Sequence, residues 1–299
     1  MKVIYGIKNI KKFPKPVVAL GVFDGVHRGH RKILESVVRK ARRIQGTSMA
    51  LTFWPHPQKE KSLYSLQHRL RLISETGMDV CVVIRFNQSL ARTLAHDFIR
   101  DILYKKLAVS YIFVGSNFKF GKNAQGNCLA LRKASQKNHF KVKVFPVTRL
   151  HGIPVSSTMI RTLIKKGDLA TAQRLLSRPV TILGTVVRGI SFGRKLGIPT
   201  ANIDLHHEVI PPNGVYAVKL IWRHKNFKGV CYIGPKPAFL RQKTQENIEV
   251  HIQKFNKNIY GQTLEIQFIR KIRNPRKFFS PAALAAQIRK DILKSSSTL

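Results

Sequence analysis

Between Pro16 and Leu176, short runs of β-branched and aromatic residues alternate with stretches whose apolar positions recur every three or four residues. Val17 to Phe23, Ser48 to Phe53, Val80 to Phe86, Val109 to Val114 and Val142 to Val147 predict strands. Ile33, Leu34, Val37, Val38 and Ala41 fall on one helical stripe, and Phe98, Ile99, Ile102, Leu103 and Leu107 on another. Strand and helix in alternation predict an α/β fold, a doubly wound parallel sheet that binds ligands at the carboxyl ends of its strands.

Two short helices, Ser157 to Lys165 and Leu169 to Leu176, are expected to close this domain, and the pattern changes at Arg178-Pro179. Val180 to Val187, Val215 to Ile221, Gly229 to Ile233, Ile248 to Phe255 and Leu264 to Ile269 read as strands separated only by turns, and helix returns from Pro281 to Leu293. That grammar predicts a small antiparallel β-barrel with a terminal helix. A chain of 299 residues is long enough for two cores, so the expected division is 1–178 and 179–299. Ser295-Ser296-Ser297 reads as a disordered tail.

Charge narrows the choice of partners. The chain carries 54 Lys and Arg against 14 Asp and Glu, a formal net charge of +40, which attracts polyanions and predicts nonspecific adsorption to nucleic acid at low salt. The bases are spread along the chain, and the clusters Arg39 to Arg43 and Arg270 to Arg273 read as solvated faces, so no specific nucleic-acid partner is indicated. Cys81, Cys128 and Cys231 lack zinc-ligand spacing and read as reduced thiols. The lysine-rich start and the shortness of the run Val17 to Phe23 predict neither a signal core nor a membrane span, hence a cytoplasmic protein with no membrane partner.

Gly21-Val22-Phe23-Asp24-Gly25-Val26-His27-Arg28-Gly29-His30 comes off the first strand and opens the first long helix. A helix start offers free N–H donors and a positive dipole end, where a nucleotide phosphate sits. His27 and His30, three apart across Gly29, are placed to face that phosphate, with Gly21 and Asp24 beside them. Ser156-Ser157-Thr158-Met159-Ile160-Arg161 opens a later helix, where the hydroxyls serve either as caps or as phosphate ligands. Together the two segments resemble the HxGH and ISSTxxR elements of the nucleotidyltransferase superfamily, in which such an arginine and its hydroxyl neighbours hold the triphosphate.

The order GxFDGVHRGH, Thr52-Phe53-Trp54-Pro55-His56-Pro57, Val114-Gly115-Ser116-Asn117-Phe118-Lys119-Phe120-Gly121 and SSTxxR resembles the adenylyltransferase half of the bacterial bifunctional riboflavin kinase/FAD synthetase family. By that resemblance Gly115, Phe118 and Gly121 contact flavin or adenine, with core packing of Phe118 and Phe120 the alternative; Asn117 stands where the family has an acidic residue. Gly189-Ile190-Ser191-Phe192-Gly193-Arg194-Lys195-Leu196-Gly197-Ile198-Pro199-Thr200-Ala201-Asn202 resembles the flavokinase pattern GxxxGRxLGxPTAN. The resemblance implies that Gly189, Gly193, Arg194 and Gly197 cover the ATP phosphates, while Thr200 and Asn202 bind magnesium and nucleotide.

A kinase acting on a primary alcohol also needs a proton acceptor. Glu249, in an EVH context followed by Tyr260-Gly261, matches the family's catalytic glutamate. Departures from the pattern are Pro235 to Phe239, where the family has a threonine before phenylalanine, and Lys254 in place of an aspartate. The implied reactions are phosphorylation of riboflavin by ATP to FMN, and adenylylation of FMN by ATP to FAD with release of pyrophosphate, both with Mg2+. Two alternatives stay open on sequence: a different HxGH adenylyl- or cytidylyltransferase, and a nucleic-acid-binding protein on a degenerate nucleotidyltransferase scaffold.

Overall fold

The computed structural model describes residues 1–8, 10–57, 62–189, 192–206, 208–235 and 247–297. The chain forms two compact units, Met1–Ser62 with Leu66–Ser157, and Leu63–Ser65 with Thr158–Leu299.

The first unit is built on a six-stranded sheet of β1 (Lys2–Tyr5), β2 (Val17–Leu20), β3 (Ser48–Trp54), β4 (Val80–Arg85), β5 (Tyr111–Gly115) and β6 (Lys141–Phe145), in the order β1-β4-β3-β2-β5-β6. All five pairings are parallel. Chain direction across the sheet reverses between β2 and β5, the switch point at which doubly wound sheets open a ligand crevice. The central strands are buried on both faces and therefore read as continuous apolar runs. β1 and β6 form the edges; β1, four residues long, is too short to announce itself in the sequence.

Helix α1 (Arg28–Arg43) buries Ile33, Leu34, Val37, Val38 and Ala41, the predicted stripe, and each large side chain so covered contributes about 2 kcal/mol. α2 (Leu66–Ser74), α3 (Gln88–Arg92), α4 (Ala95–Asp97) and α5 (Cys128–Lys137) complete the covering, with a 3-10 turn at Lys122–Ala124. The predicted helix around Phe98 to Leu107 is a π-helix over Phe98–Lys106 that still buries Phe98, Ile99, Ile102 and Leu103. A short hairpin, β7 (Arg149–Leu150) and β8 (Ile153–Pro154), precedes α6 (Ser157–Lys166) and α7 (Leu169–Leu176).

The second unit is a closed antiparallel barrel of β9 (Val180–Val187), β10 (Ala201–Leu205), β11 (Gly214–Trp222), β12 (Lys225–Gly234), β13 (Asn247–Ile252) and β14 (Thr263–Arg273), in the order β10-β13-β12-β11-β14-β9. α8 (Phe192–Lys195) interrupts the β9–β10 connection, and α9 (Pro281–Ser296) ends the chain. Two sequence expectations are corrected here. Ser295 and Ser296 are not a loose tail: α9 runs through them, because the buried Ser295 hydroxyl donates to the Gly229 carbonyl at 2.9 Å. Nor is Arg273 part of a solvated basic face, since its guanidinium donates to both carboxylate oxygens of buried Asp291 and pins α9.

Scarce carboxylates take structural work elsewhere as well. Asp79 accepts from the Ser48 N–H and hydroxyl at 2.9 and 2.6 Å. Buried Glu208 accepts the backbone N–H groups of Ser65 and Leu183 at 2.9 and 3.0 Å. Among the described residues, no helix is long and apolar enough to cross a membrane.

Candidate active sites

The first site lies at the switch point. Leaving β2, residues 21–27 turn sharply into α1, with Phe23 (φ 53°), Gly25 (81°) and Val26 (38°) all in the left-handed region. For Phe23 and β-branched Val26 this backbone is strained, at about 1–3 kcal/mol each, and such strain persists only where its surroundings hold it. The holding groups are visible. The Val22 carbonyl accepts both the Thr52 hydroxyl at 2.8 Å and Arg69 Nη1 at 3.0 Å, while the same Nη1 reaches the Phe53 carbonyl at 3.1 Å. Arg69 is 0% exposed and lies 5.3 Å over the Trp54 ring. It therefore ties the carboxyl ends of β2 and β3 together. Burial lowers its pKa, while the charge of Asp24 works the other way.

Asp24 is 1% exposed, with carboxylate oxygens 4.0 Å from Arg69 Nη2 and 3.9 Å from His56 Nε2. Its carbonyl accepts the Ser157 hydroxyl at 2.8 Å, which brings the start of α6 to the first motif. His27 is the N-cap of α1: its Nδ1 accepts the His30 N–H at 3.3 Å. With that lone pair engaged, the ring carries its proton on Nε2, a donor suited to a phosphate oxygen. The His30 ring stacks on that of His27 and meets the edge of Phe23. Gly29 has a specific steric reason: a Cβ there would lie 3.3 Å from the His27 ring and 3.5 Å from Thr148 Oγ1. At Gly21 a Cβ would press on the Phe23 ring at 3.0 Å.

Across the switch point, Gly115 ends β5, and a Cβ there would lie 3.1 Å from Asn117 Oδ1 and 3.9 Å from Ile33 of α1. Phe120 belongs to the core, and half-buried Phe118 stacks on it with centroids 5.5 Å apart. Gly121 (φ 73°) lies against the Ala95 backbone, too near for a side chain. Ser156 precedes α6, Thr158 is exposed in its first turn, and Arg161 is buried one turn on from Ser157. Arg69 went unrecognised in the sequence, since a lone arginine in a basic chain carries no periodic signal.

The second site is in the barrel. Ile190 and Ser191 of the glycine-rich loop lie outside the described residues, as do Lys236 to Phe239 among the flagged departures. The rest of the loop closes on itself: the Ile198 N–H donates to the Gly193 carbonyl at 2.8 Å, Gly197 sits at φ 73°, and Arg194 is exposed. A Cβ on Gly193 would meet the Ile198 carbonyl at 2.5 Å and Thr200 Oγ1 at 2.9 Å, and one on Gly189 would overlap the Asn202 amide. The glycines thus let the loop lie directly on the PTAN residues.

On β13, Asn247, Glu249 and His251 are half-buried while Ile248, Val250 and Ile252 point into the core. Asn202 is the ladder partner of Glu249. The Thr200 hydroxyl donates to Glu249 Oε2 at 3.1 Å, and Asn247 Nδ2 donates to Oε1 at 2.6 Å. Tyr232, opposite Glu249 on β12, has its pKa raised by burial and then by the Glu249 charge. A carboxylate, a hydroxyl and an amide meet beneath a glycine loop, the donor set a hard oxygen-seeking cation accepts. Among the described residues no group of three His, Cys, Asp or Glu could hold a metal by itself.

Residues 9–159 match the family model for FAD synthetase, and residues 176–299 match that for riboflavin kinase. The chain is 37% identical to the bifunctional riboflavin kinase/FMN adenylyltransferase of Buchnera aphidicola subsp. Schizaphis graminum, over 98% of this chain and 97% of that protein. It is 36% identical to the protein of the same description from Escherichia coli K12, over 98% and 96% of the two chains, and 34% identical to that from Bacillus subtilis 168, over 93% and 90%. A crystal structure described as a macrolide-efflux protein from Streptococcus pneumoniae superposes with a TM-score of 0.83 at 27% identity, covering 99% of each chain.

Proposed function

The chain belongs to the bifunctional riboflavin kinase/FMN adenylyltransferase family, and from that premise we propose how its residues divide the two activities. It is a riboflavin kinase and an FMN adenylyltransferase, for both halves match enzyme families along nearly their full length. Residues 1–178 are assigned the adenylylation and 179–299 the phosphorylation.

In the kinase half, Glu249 is the general base. Its carboxylate takes the proton of the riboflavin primary hydroxyl as that oxygen bonds to the γ-phosphorus of ATP and the bond to ADP breaks. The observation that supports this assignment is the Thr200–Glu249 hydrogen bond, which joins the PTAN segment to the carboxylate. Gly189, Gly193, Arg194 and Gly197 cover the phosphates. Thr200 and Asn202 would hold Mg2+, which when bound offsets phosphate charge.

In the adenylyltransferase half, an FMN phosphate oxygen bonds to the α-phosphorus of ATP and the bond to pyrophosphate breaks, with no covalent enzyme intermediate. His27 Nε2–H, His30, the N–H groups opening α1, Ser156, Ser157, Thr158 and Arg161 stabilise the developing charge. Asp24 and Gly21 shape the loop, Gly29 gives the His27 ring its place, and Gly115, Phe118 and Gly121 border the flavin or adenine. The protein is read as cytoplasmic, with small-molecule partners and only salt-sensitive, nonspecific attraction to polyanions.

Chromatography of flavins after incubation with ATP and Mg2+ plus either riboflavin or FMN tests the division. Glu249→Gln is expected to abolish FMN formation and spare FMN-to-FAD conversion; His30→Ala is expected to do the reverse. Both rates staying near wild type in both variants would refute the assignment.

A further inference from the structure

The face of β13 that carries Glu249 also carries Asn247 and His251, and both reach toward the same carboxylate, one directly and one through a neighbour. Among the described residues, β10 and β13 pair through Ala201–Val250 and Asn202–Glu249. Continuing that register would set Thr200 against His251 and Pro199 against Ile252, but Pro199 has no N–H with which to extend a ladder. His251 takes over there: its Nδ1 lies 2.9 Å from the Pro199 carbonyl. A carbonyl only accepts, so Nδ1 carries the proton and donates. Thr200, the next residue, then directs its hydroxyl to Glu249 Oε2, while Asn247 Nδ2 donates to Oε1.

We infer that Asn247 and His251 are positioning residues for Glu249: Asn247 fixes one carboxylate oxygen, and His251 anchors Pro199 so that Thr200 fixes the other. The inference rests on Glu249 being the base. A glutamate on a half-buried strand face has three side-chain torsions to order, and a carboxylate held at both oxygens loses that freedom before substrate arrives. Neither residue touches the reacting atoms, so their removal acts on kcat, while the sites for riboflavin and ATP keep their affinity.

The test uses the full chain and four variants: Asn247→Ala, His251→Gln, His251→Asn and Glu249→Gln. FMN formation is measured with riboflavin and ATP varied separately, FMN-to-FAD conversion is measured on the same preparations as a control for the other half, and the melting temperature checks folding. Asn247→Ala and His251→Gln are expected to lower kcat for FMN formation by about tenfold to a hundredfold, the scale of losing alignment by an ångström. Both KM values and the second reaction hold. An asparagine amide nitrogen occupies nearly the position of histidine Nδ1, so His251→Asn is expected to recover most of the rate that His251→Gln loses. Wild-type kcat in Asn247→Ala or in His251→Gln removes that residue from the assignment. Equal loss in the Asn and Gln variants with a lowered melting temperature would make His251 a structural brace only. A Glu249→Gln protein that still makes FMN overturns the base assignment itself, whatever the other variants do.

Discussion

The imidazole of His30 lies flat on that of His27, with centroids 3.6 Å apart and planes 16° from parallel. His27 has two jobs: its Nδ1 caps α1, which puts the proton of the neutral ring on Nε2. The two jobs are separable by mutation. Asparagine is a good N-cap, so His27→Asn is expected to keep the stability of α1 and lose FMN-to-FAD conversion by about a hundredfold, a loss typical of removing one preorganised donor. His27→Ala loses the same activity and in addition about 1 kcal/mol of stability. Thermal unfolding of the two variants beside their rates distinguishes them; equal melting temperatures would show that the cap contributes nothing.

Gly193 is pressed between the Ile198 carbonyl and the Thr200 hydroxyl. Gly193→Ala forces Thr200 away from Glu249, and the expected outcome is loss of FMN formation with FMN-to-FAD conversion intact. Gly197, with nothing near its missing side chain but φ at 73°, takes only left-handed backbone strain on substitution, about 1–2 kcal/mol. Comparing the two rates of FMN formation decides whether steric access or backbone conformation governs the loop.

Arg69→Met removes the donor that serves two buried carbonyls and leaves Asp24 without the guanidinium beside it. The expected cost is roughly 3 kcal/mol, the scale of breaking a buried charge pair from one side, and Trp54, under the guanidinium, reports it through fluorescence during thermal unfolding. Lysine keeps the charge but gives up the second nitrogen beside Asp24 and the planar group over Trp54, so Arg69→Lys falls between.

Three buried groups set the alkaline limit. Burial raises the Cys81 thiol from 9.0 to about 12, against the opposing charge of Arg69. The Tyr216 hydroxyl rises from 10.0 to about 12, again through burial first and Cys231 second. Burial pushes Cys231 upward as well. The folded protein holds these protons after the unfolded chain would release them. Their contribution is therefore complete below pH 9 and is lost as pH climbs toward 12. The melting temperature is expected to fall steadily across that window. At neutral pH a thiol reagent should reach half-buried Cys128 alone, and all three cysteines after denaturation.

The parallel strands were legible because burial on both faces turns them into unbroken apolar runs, and the barrel strands because turns space them without helices. α2 was not legible: the face it buries includes His68 and Arg69, so its stripe looks polar. β10 was hidden because its five residues overlap the PTAN motif, although Asn202 and Asp204 alternate with Ala201, Ile203 and Leu205. The site motifs were visible as strings. The bonds from His251 and Arg69 were not, because each joins segments distant in the sequence and leaves no spacing rule behind, and the bond from Asn247 to Glu249, two residues along one strand, is only one of many that a shared strand face permits.

The barrel closes on itself, whereas the sheet of the first unit ends in two margins, β1 and β6. Those margins bear exposed Lys2 on one side and exposed Lys141 and Lys143 on the other. A second molecule seeking to continue the sheet meets like charge at either border, and strand-by-strand growth into aggregates is discouraged where a bare margin would invite it. Part of the chain's excess of lysine thus protects the protein as its own concentration rises.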